Sequence, residues 1–149
     1  MTSYYLGVDP GMSGSLIVID ENGVIPEGDY TKMPGTEKDI FKFINDRKML
    51  IHSAYIEKVH SMPKQGVASS FKFGMGYGGL RMAILACDIR MIEVTPNKWQ
   101  SKMGCRTGGD KNISKAKAQQ LFPGIKVTHA LADGLLIAEY ARREEERLW

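Results

Sequence analysis

Cysteine and long apolar runs are both scarce in this sequence. Its 149 residues include only two cysteines, Cys87 and Cys105, which show no C-x-x-C spacing, so no disulfide framework is expected. No apolar run approaches the roughly 18 residues of a membrane span, and the N-terminus lacks the long apolar core of a signal peptide. These absences exclude the membrane and secreted classes and predict a reducing, cytoplasmic location.

The sequence also lacks repeats and low-complexity segments. Its composition, 43% hydrophobic and 25% charged residues, is typical of a soluble globular domain. At this length a fold buries enough surface to form a core without a structural metal. We therefore expect one domain that spans residues 1–149.

The formal net charge of +3 is divided unevenly along the chain. Residues 58–128 contain twelve Lys and Arg against three Asp and Glu. The flanking segments 1–57 and 129–149 are both acidic, with net charges of −4 and −2. A segment at +9 suggests a polyanionic partner, although a solvated basic face would give the same count.

The pattern of apolar residues, turns and capping residues predicts an α/β fold. Strands are expected at residues 4–8, 16–19, 24–32, 54–57 and 89–94. Thr36, Thr95 and Thr128 are expected to cap helices, the first of which runs through Lys48. The glycine-rich stretch 61–79 is typical of a long loop that leads into a helix ending near Cys87. A leading antiparallel meander followed by strands that alternate with helices favours a mixed sheet with helices on both faces.

The C-terminal third adds two more helices to this pattern. A basic helix is expected from about residue 113 to 122, after a loop at 104–109. In the last helix, Leu131, Leu135 and Ala138 form an apolar stripe, and residues 142–147 form a solvated end of mixed charge.

Asp9 ends the first predicted strand and is followed by the turn Pro10-Gly11. A carboxylate in that place can bind a metal ion while the glycine-rich turn lets a phosphate approach the backbone. Alternatively, Asp9 caps the turn through its own side chain.

Glu57 ends the fourth predicted strand. A Glu after a buried strand needs a partner, which could be Lys58, or it points to solvent. If the first and fourth strands are neighbours, Asp9 and Glu57 lie within reach of a shared metal ion.

His129 and Asp133 are four residues apart at the start of the last predicted helix, so their side chains can face the same way. The helix dipole disfavours imidazolium in the first turn, and neutral imidazole is the form that binds a metal or accepts a proton. Alternatively, His129 is a surface residue. Asp133 lies in an otherwise apolar stretch, which favours a functional role for its carboxylate.

Three sequence blocks together resemble the RuvC family of Holliday-junction resolvases. They are Gly-Val-Asp-Pro-Gly at 7–11, Tyr-Ile-Glu at 55–57 and Ala-Asp-Gly-Leu-Leu-Ile-Ala at 132–138. The stretch 62–74 and the block Thr-Pro-Asn-Lys-Trp at 95–99 resemble the smaller, phage-type branch. The resemblance implies an RNase H-like fold with a five-stranded mixed sheet. It also implies that the protein acts in a bacterial or phage-infected host cell.

The resemblance also implies a set of catalytic, metal-binding residues. Asp9 matches the catalytic Asp of the first strand, Glu57 the central Glu, and Asp133 the last Asp. Many members of the family have a further carboxylate three residues before the last Asp. This chain has Ala130 in that position, and His129, one residue earlier, is the best substitute for the missing ligand. The implied mechanism is two-metal hydrolysis of phosphodiester bonds with Mg²⁺, with Mn²⁺ as an alternative ion.

The basic segment would then bind branched DNA, namely four-way junctions and also forks and flaps. We expect lysine and arginine side chains to contact phosphates and Phe71 or Phe73 to stack on an unpaired base, unless these rings are core. Trp99 is expected in the core. The predicted DNA-binding residues are Lys58, Lys64, Phe71, Lys72, Phe73, Lys98, Lys102, Arg106, Lys111, Lys115 and Lys117.

Symmetric cutting of two strands with one site per chain predicts a two-fold homodimer. A helix from about residue 67 to 87, rich in Gly and Met, suits close helix pairing, or it packs within the monomer. One rival interpretation is a branched-DNA-binding protein whose cleavage is weak or lost. Another is an actin-like or sugar-kinase ATPase, which the length disfavours because those folds duplicate the domain.

Overall fold

The structure is a computed structural model that describes residues 1–149. Its strands are β1 (Tyr4–Asp9), β2 (Ser15–Asp20), β3 (Tyr30–Lys32), β4 (Ile51–Glu57) and β5 (Arg90–Val94). Its helices are α1 (Glu37–Asn45), α2 (Val67–Ala86), α3 (Pro96–Met103), α4 (Lys111–Leu121) and α5 (His129–Glu145).

The five strands form one mixed sheet in the order β3-β2-β1-β4-β5. β1, β2 and β3 pair antiparallel as a meander, whereas β1 pairs with β4 and β4 with β5 in parallel. The carboxyl ends of β1, β4 and β5 therefore meet at one edge of the sheet. The predicted mixed α/β sheet is confirmed.

Helices cover both faces of the sheet, as predicted. One core cluster, of 19 buried residues, joins residues of α3, α4 and α5 to one face. A second cluster, of 13 buried residues, joins residues of α1 and α2 to the other face. Successive strand residues enter opposite clusters, as the two-residue period of a strand requires.

The predicted starts of three helices are confirmed, and the basic helix expected at about 113–122 is α4, Lys111–Leu121. Thr36, Thr95 and Thr128 are the N-caps of α1, α3 and α5, and each accepts a hydrogen bond from a backbone N–H of the first turn. The side chains of these residues satisfy N–H groups that the helix leaves free. α1, however, ends at Asn45 and not at Lys48.

The predicted third strand, 24–32, is mostly irregular. Only three residues, Tyr30–Lys32, are in β3. Val24 N–H donates to the Asp20 side chain, and Gly28 has a φ of 85°. Together with Pro26, these features keep the segment out of the sheet until Tyr30.

The glycine-rich stretch 61–79 was predicted as a long loop, which is wrong from Val67 onward. The helix expected from about residue 67 to 87 is confirmed as α2. Glycine disfavours a helix interior by up to about 1 kcal/mol per residue. Burial of Leu80, Ala83 and Ile84 against the sheet supplies the packing that local propensity lacks.

The end of α5 was predicted to be solvated, but its charges are largely paired. Arg142 and Arg143 both donate to the buried carboxylate of Glu139. Glu145 accepts hydrogen bonds from Tyr55 and Arg90. None of the five helices is both long and apolar enough to span a membrane.

Candidate active site

Asp9 and Glu57 are neighbours at the carboxyl edge of the sheet. β1 and β4 are parallel, and Val8 pairs with Ile56 immediately before the two carboxylates. Val8 and Ile56 point into the α1–α2 core cluster. The alternation of strand side chains therefore turns Asp9 and Glu57 to the opposite face, which α5 covers.

Helix α5 brings its first turn to the same edge. It crosses β1 so closely that a Cβ on Gly7 would lie 2.4 Å from the backbone nitrogen of Ala138. At the other end of the helix, the Tyr5 hydroxyl donates to the Glu146 carboxylate near the start of β1. α5 thus runs antiparallel to β1, and Asp133 lies beside the carboxyl end of that strand.

A second close approach holds α5 against β2. A Cβ on Gly134 would lie 2.0 Å from the Ser15 hydroxyl oxygen, and Ser15 is the register partner of Asp9. The same Cβ would also lie 3.1 Å from Ile17 Cγ1 and 3.2 Å from Ser15 Cβ, so glycine at position 134 allows this close approach.

One polar cavity of about 270 Å³ lies between these elements. All four predicted catalytic residues line it, and no hydrophobic side chain does. The lining residues are Asp9, Pro10, Ser13, Glu57, Lys111, Ser114, His129 and Asp133. The geometry therefore does not favour Asp9 as a turn cap or Glu57 facing solvent. His129 is exposed, as the alternative of a surface residue expects, and it also lines the cavity.

The cavity concentrates negative charge. Burial raises the pKa of Asp9 well above its usual value, and the nearby carboxylates of Glu57 and Asp133 raise it further. Burial raises the pKa of Glu57 to about 7 and also raises the pKa of Asp133. Lys111 is the opposing charge, and it lowers the pKa of both aspartates.

The partner of Glu57 is Trp99, not Lys58. The indole Nε1–H of Trp99 donates to Glu57 Oε2 at 2.7 Å. Trp99 is fully buried, as predicted, but the sequence interpretation assigned it to packing alone. A signal was present, because a buried Trp needs an acceptor for its N–H.

One carboxylate oxygen of Asp133 bears on whether the cavity can hold a metal ion. Its Oδ1 is buried and has no hydrogen-bond partner. The Ser114 hydroxyl lies close enough to the carboxylate to lower its pKa, and it also donates to the Lys111 carbonyl oxygen at 3.2 Å. A buried carboxylate oxygen without a donor is a fit for a cation.

The side chains do not form a closed metal cage. No three His, Cys, Asp or Glu side chains of the chain are gathered tightly enough to enclose an ion by themselves. Mg²⁺ normally keeps several waters and binds through one or two carboxylates together with substrate phosphates. An open site with carboxylate oxygens and one imidazole fits that mode of binding.

The predicted DNA-binding residues are placed differently from one another. Lys111 lies in the cavity itself, and Lys72 and Phe73 line a larger groove that shares Pro10 and Ser13 with it. Phe71 is 68% exposed. Of the others, Lys58, Lys64, Lys98, Lys102 and Arg106 are exposed, and Lys115 and Lys117 are half-buried.

Four residues in or next to the cavity were not assigned to the site from the sequence: Pro10, Ser13, Ser114 and Trp99. Ser114 follows Lys111 by one helical turn on α4, so the two side chains share a face. The position of α4 beside α5 could not be read from the sequence, because the loop before it has no pattern that fixes its direction.

Comparisons with known proteins identify the fold. No protein-family model and no curated protein sequence matches the chain. Among solved structures, Thermus thermophilus RuvC in complex with a Holliday junction substrate superposes with a TM-score of 0.66 at 16% identity, over 97% of this chain and 96% of that one.

Two further structures agree with this result. Another T. thermophilus RuvC structure gives a TM-score of 0.62 at 16% identity, with the same 97% and 96% coverage. The yeast mitochondrial Holliday junction resolvase Ydc2 gives 0.50 at 14% identity, over 98% of this chain and 82% of that one. The chain therefore has the RNase H-like fold of the RuvC resolvases.

Proposed function

We propose that this protein is a divalent-metal-dependent endonuclease that cleaves four-way DNA junctions and other branched DNA. The observation that carries the proposal is the cavity at the carboxyl edge of the sheet, where Asp9, Glu57, Asp133 and His129 converge. The fold supports it, because structures that share this fold are those of Holliday junction resolvases.

The four converging side chains would hold the metal ions, two per site, with Mg²⁺ as the expected ion and Mn²⁺ as an alternative. When bound, such ions activate a water molecule and stabilise the leaving 3′-oxygen in an in-line displacement. Asp9 shares the cavity with both Glu57 and Asp133, and their charges raise its pKa. It is therefore the carboxylate that we expect to contribute most to holding the ions.

Lys111 would bind the scissile phosphate. It is the first residue of α4, after the N-cap Asp110, so its ammonium group and the free N–H groups of the helix start present positive charge at one place. Its exposed side chain reaches the carboxylate cavity. The other predicted DNA-binding lysines and Arg106 would contact phosphates farther along the duplex arms.

The two phenylalanines of the α2 segment are expected to differ. Phe71 is exposed, whereas the Phe73 ring packs against Gly11, where an added Cβ would lie 3.2 Å from it. We expect Phe71→Ala to weaken junction binding by about tenfold without a change in Tm, since base stacking is worth about 1–3 kcal/mol. We expect Phe73→Ala to lower the Tm.

Mobility-shift titration of a junction and thermal unfolding of both variants test this assignment. A Phe71→Ala protein with wild-type junction affinity would remove Phe71 from the DNA interface.

His129 is expected to set the preference between metal ions. Imidazole suits Mn²⁺ better than it suits Mg²⁺, and it supplies one negative charge fewer than a carboxylate. His129→Asp should therefore lower the ratio of the Mn²⁺-supported to the Mg²⁺-supported cleavage rate by severalfold. Single-turnover cleavage in each metal measures the ratio, and equal ratios in the two proteins would refute the role of His129.

We also propose that the protein acts as a homodimer, because two like strands must be cut and each chain has one site. The solvent-exposed side of α2 carries apolar side chains. They lie within an arc of about 80° around the helix axis, given a rotation of 100° per residue. Apart from Phe71, which we assign to DNA, these exposed residues are Val67, Met75, Met82 and Leu85. Gly78 lies between them and Gly74 beside them, both with open space where a side chain would be, so a second helix could approach closely.

A charge placed in this stripe should separate the subunits. Met82→Glu buries a carboxylate in the proposed contact and is expected to weaken dimerisation at least tenfold. Met49→Glu is the matched control, because Met49 is also exposed but lies outside the stripe. Sedimentation equilibrium measures the effect, and an unchanged association constant for Met82→Glu would exclude this face.

The proposed function is tested by incubating the protein with a mobile four-way junction, a Y-fork and a linear duplex of the same sequence, in Mg²⁺ and in Mn²⁺. We expect 5′-phosphate and 3′-hydroxyl ends at the branch point of the junction, little cutting of the linear duplex, and no products with Glu57→Gln. Tight junction binding without cleavage in either metal would favour the alternative, a branched-DNA-binding protein.

The remaining proposals concern where the protein acts. The phage-type branch is supported by the blocks at 62–74 and 95–99, and the cytoplasm of a bacterial or phage-infected cell is where junction DNA would be met. The two cysteines are free and buried, which agrees with a reducing compartment.

A further inference from the structure

We infer that Trp99 is a positioning residue for Glu57 and thereby controls the affinity of the site for its metal ions. This inference rests on the proposed function and adds a residue from outside the cavity lining. It starts from one contact, in which the Trp99 indole N–H donates to Glu57 Oε2 at 2.7 Å.

A short, hydrogen-bonded connection between β4, β5 and the start of α3 fixes the position of this indole relative to Glu57. Glu57 pairs in register with Val94, the last residue of β5, and the Lys58 N–H donates to the Val94 carbonyl at 2.7 Å. Thr95 then caps α3, and Trp99 follows in its first turn. The donor and the acceptor are thus fixed to the ends of two hydrogen-bonded strands.

Glu57 needs such a partner because its neighbours repel it. The carboxylates of Asp9 and Asp133 share its cavity, and a Glu side chain with three rotatable bonds can swing away from two like charges. The indole holds Oε2 and is itself immobile, since Trp99 is 0% exposed. Oε1 is left as the oxygen that Glu57 can offer to an ion.

Loss of the indole N–H should therefore weaken metal binding more than it weakens the fold. Residues that hold a metal ligand in place typically change metal affinity or activity by about 10- to 100-fold when they are replaced. Trp99→Phe keeps an aromatic ring in the core and removes the donor. Met103→Ala is the matched control, because Met103 lies in the same helix and core cluster but its thioether has no proton to donate to a carboxylate.

The test measures Mn²⁺ affinity by electron paramagnetic resonance of the free ion, together with junction affinity in Ca²⁺ and the cleavage rate. We expect Trp99→Phe to bind Mn²⁺ about 10- to 100-fold more weakly, to bind the junction normally, and to recover rate at high Mn²⁺. Met103→Ala should lower the Tm and bind Mn²⁺ within twofold of wild type. Wild-type Mn²⁺ affinity in Trp99→Phe, or an equal loss in Met103→Ala, would overturn the inference and leave the proposed function standing.

A second measurement leaves Trp99 in place. The chain has two tryptophans, Trp99 and Trp149, so Trp149→Phe makes Trp99 the sole indole emitter. We expect paramagnetic Mn²⁺ to quench that emission, and Asp9→Asn to abolish the quenching. Emission that does not respond at saturating Mn²⁺ would overturn the inference. A wild-type protein with no Mn²⁺ site at all would overturn the proposed function with it.

Discussion

Asp9→Asn is expected to reduce junction cleavage by about 10³-fold or more while junction binding remains. Asp9 shares the cavity with Glu57 and Asp133, and the charges of both raise its pKa. The amide of Asn has nearly the same shape but no negative charge with which to hold the ions. A loss of 10³-fold corresponds to about 4 kcal/mol of transition-state stabilisation, which is in the range of the several kcal/mol that a metal ion supplies.

Single-turnover cleavage of a labelled four-way junction measures this effect, and a mobility shift in Ca²⁺ measures binding. Asp46→Asn is the control, since Asp46 is an exposed partner of Lys42 on α1 and surface ion pairs contribute little. Cleavage by Asp9→Asn within tenfold of wild type would mean that the chemistry does not depend on the cavity.

The second large effect concerns stability without metal. Burial raises the pKa of Glu57 from 4.5 to about 7, so between these values the folded state holds a proton that the unfolded state has lost. The free energy of unfolding therefore falls as the pH rises from about 4.5 to 7. At 1.36 kcal/mol per pKa unit, the loss is at most about 3 kcal/mol.

Glu57→Gln removes the free-energy cost of ionising the buried Glu57 in the folded state, and it keeps an acceptor for the Trp99 N–H. We expect the metal-free variant to be more stable than the metal-free wild type at pH 7.5, with a Tm higher by roughly 5 °C. Its stability should depend less steeply on pH between 5 and 7, where Asp9 and Asp133, whose pKa values are also raised, still contribute. Excess Mg²⁺ or Mn²⁺ should raise the Tm of the wild type more than that of the variant, because a ligand stabilises only the state that binds it.

Calorimetric unfolding at several pH values, with and without metal, provides the measurement. A metal-free Glu57→Gln protein that is less stable than wild type at pH 7.5 would show that Glu57 contributes to folding and is not held at a cost for function.

Local sequence signals were sufficient for much of the fold. Threonine caps marked the starts of three helices, and apolar runs marked four strands, because these signals act within a few residues. The pairing of Asp9 with Glu57 was conditional on β1 and β4 being neighbours, which the parallel register satisfies.

The details that required the structure depend on contacts between distant segments. Gly7 and Gly134 look like ordinary glycines in the sequence, yet they let α5 approach β1 and β2 closely enough to bring Asp133 to Asp9. The helical state of the glycine-rich segment depends on burial of Leu80 and Ile84 against the sheet, which local propensity opposes.

The most direct measurement of the central claim is cleavage of a supercoiled plasmid that extrudes a cruciform, compared with the same plasmid relaxed. A dimer with one carboxylate cavity per chain should convert the supercoiled plasmid mainly to linear DNA cut on both strands at the cruciform, only with Mg²⁺ or Mn²⁺, and should leave the relaxed plasmid intact. Bound but uncut cruciform plasmid in both metals would contradict the claim that this cavity is a nuclease centre.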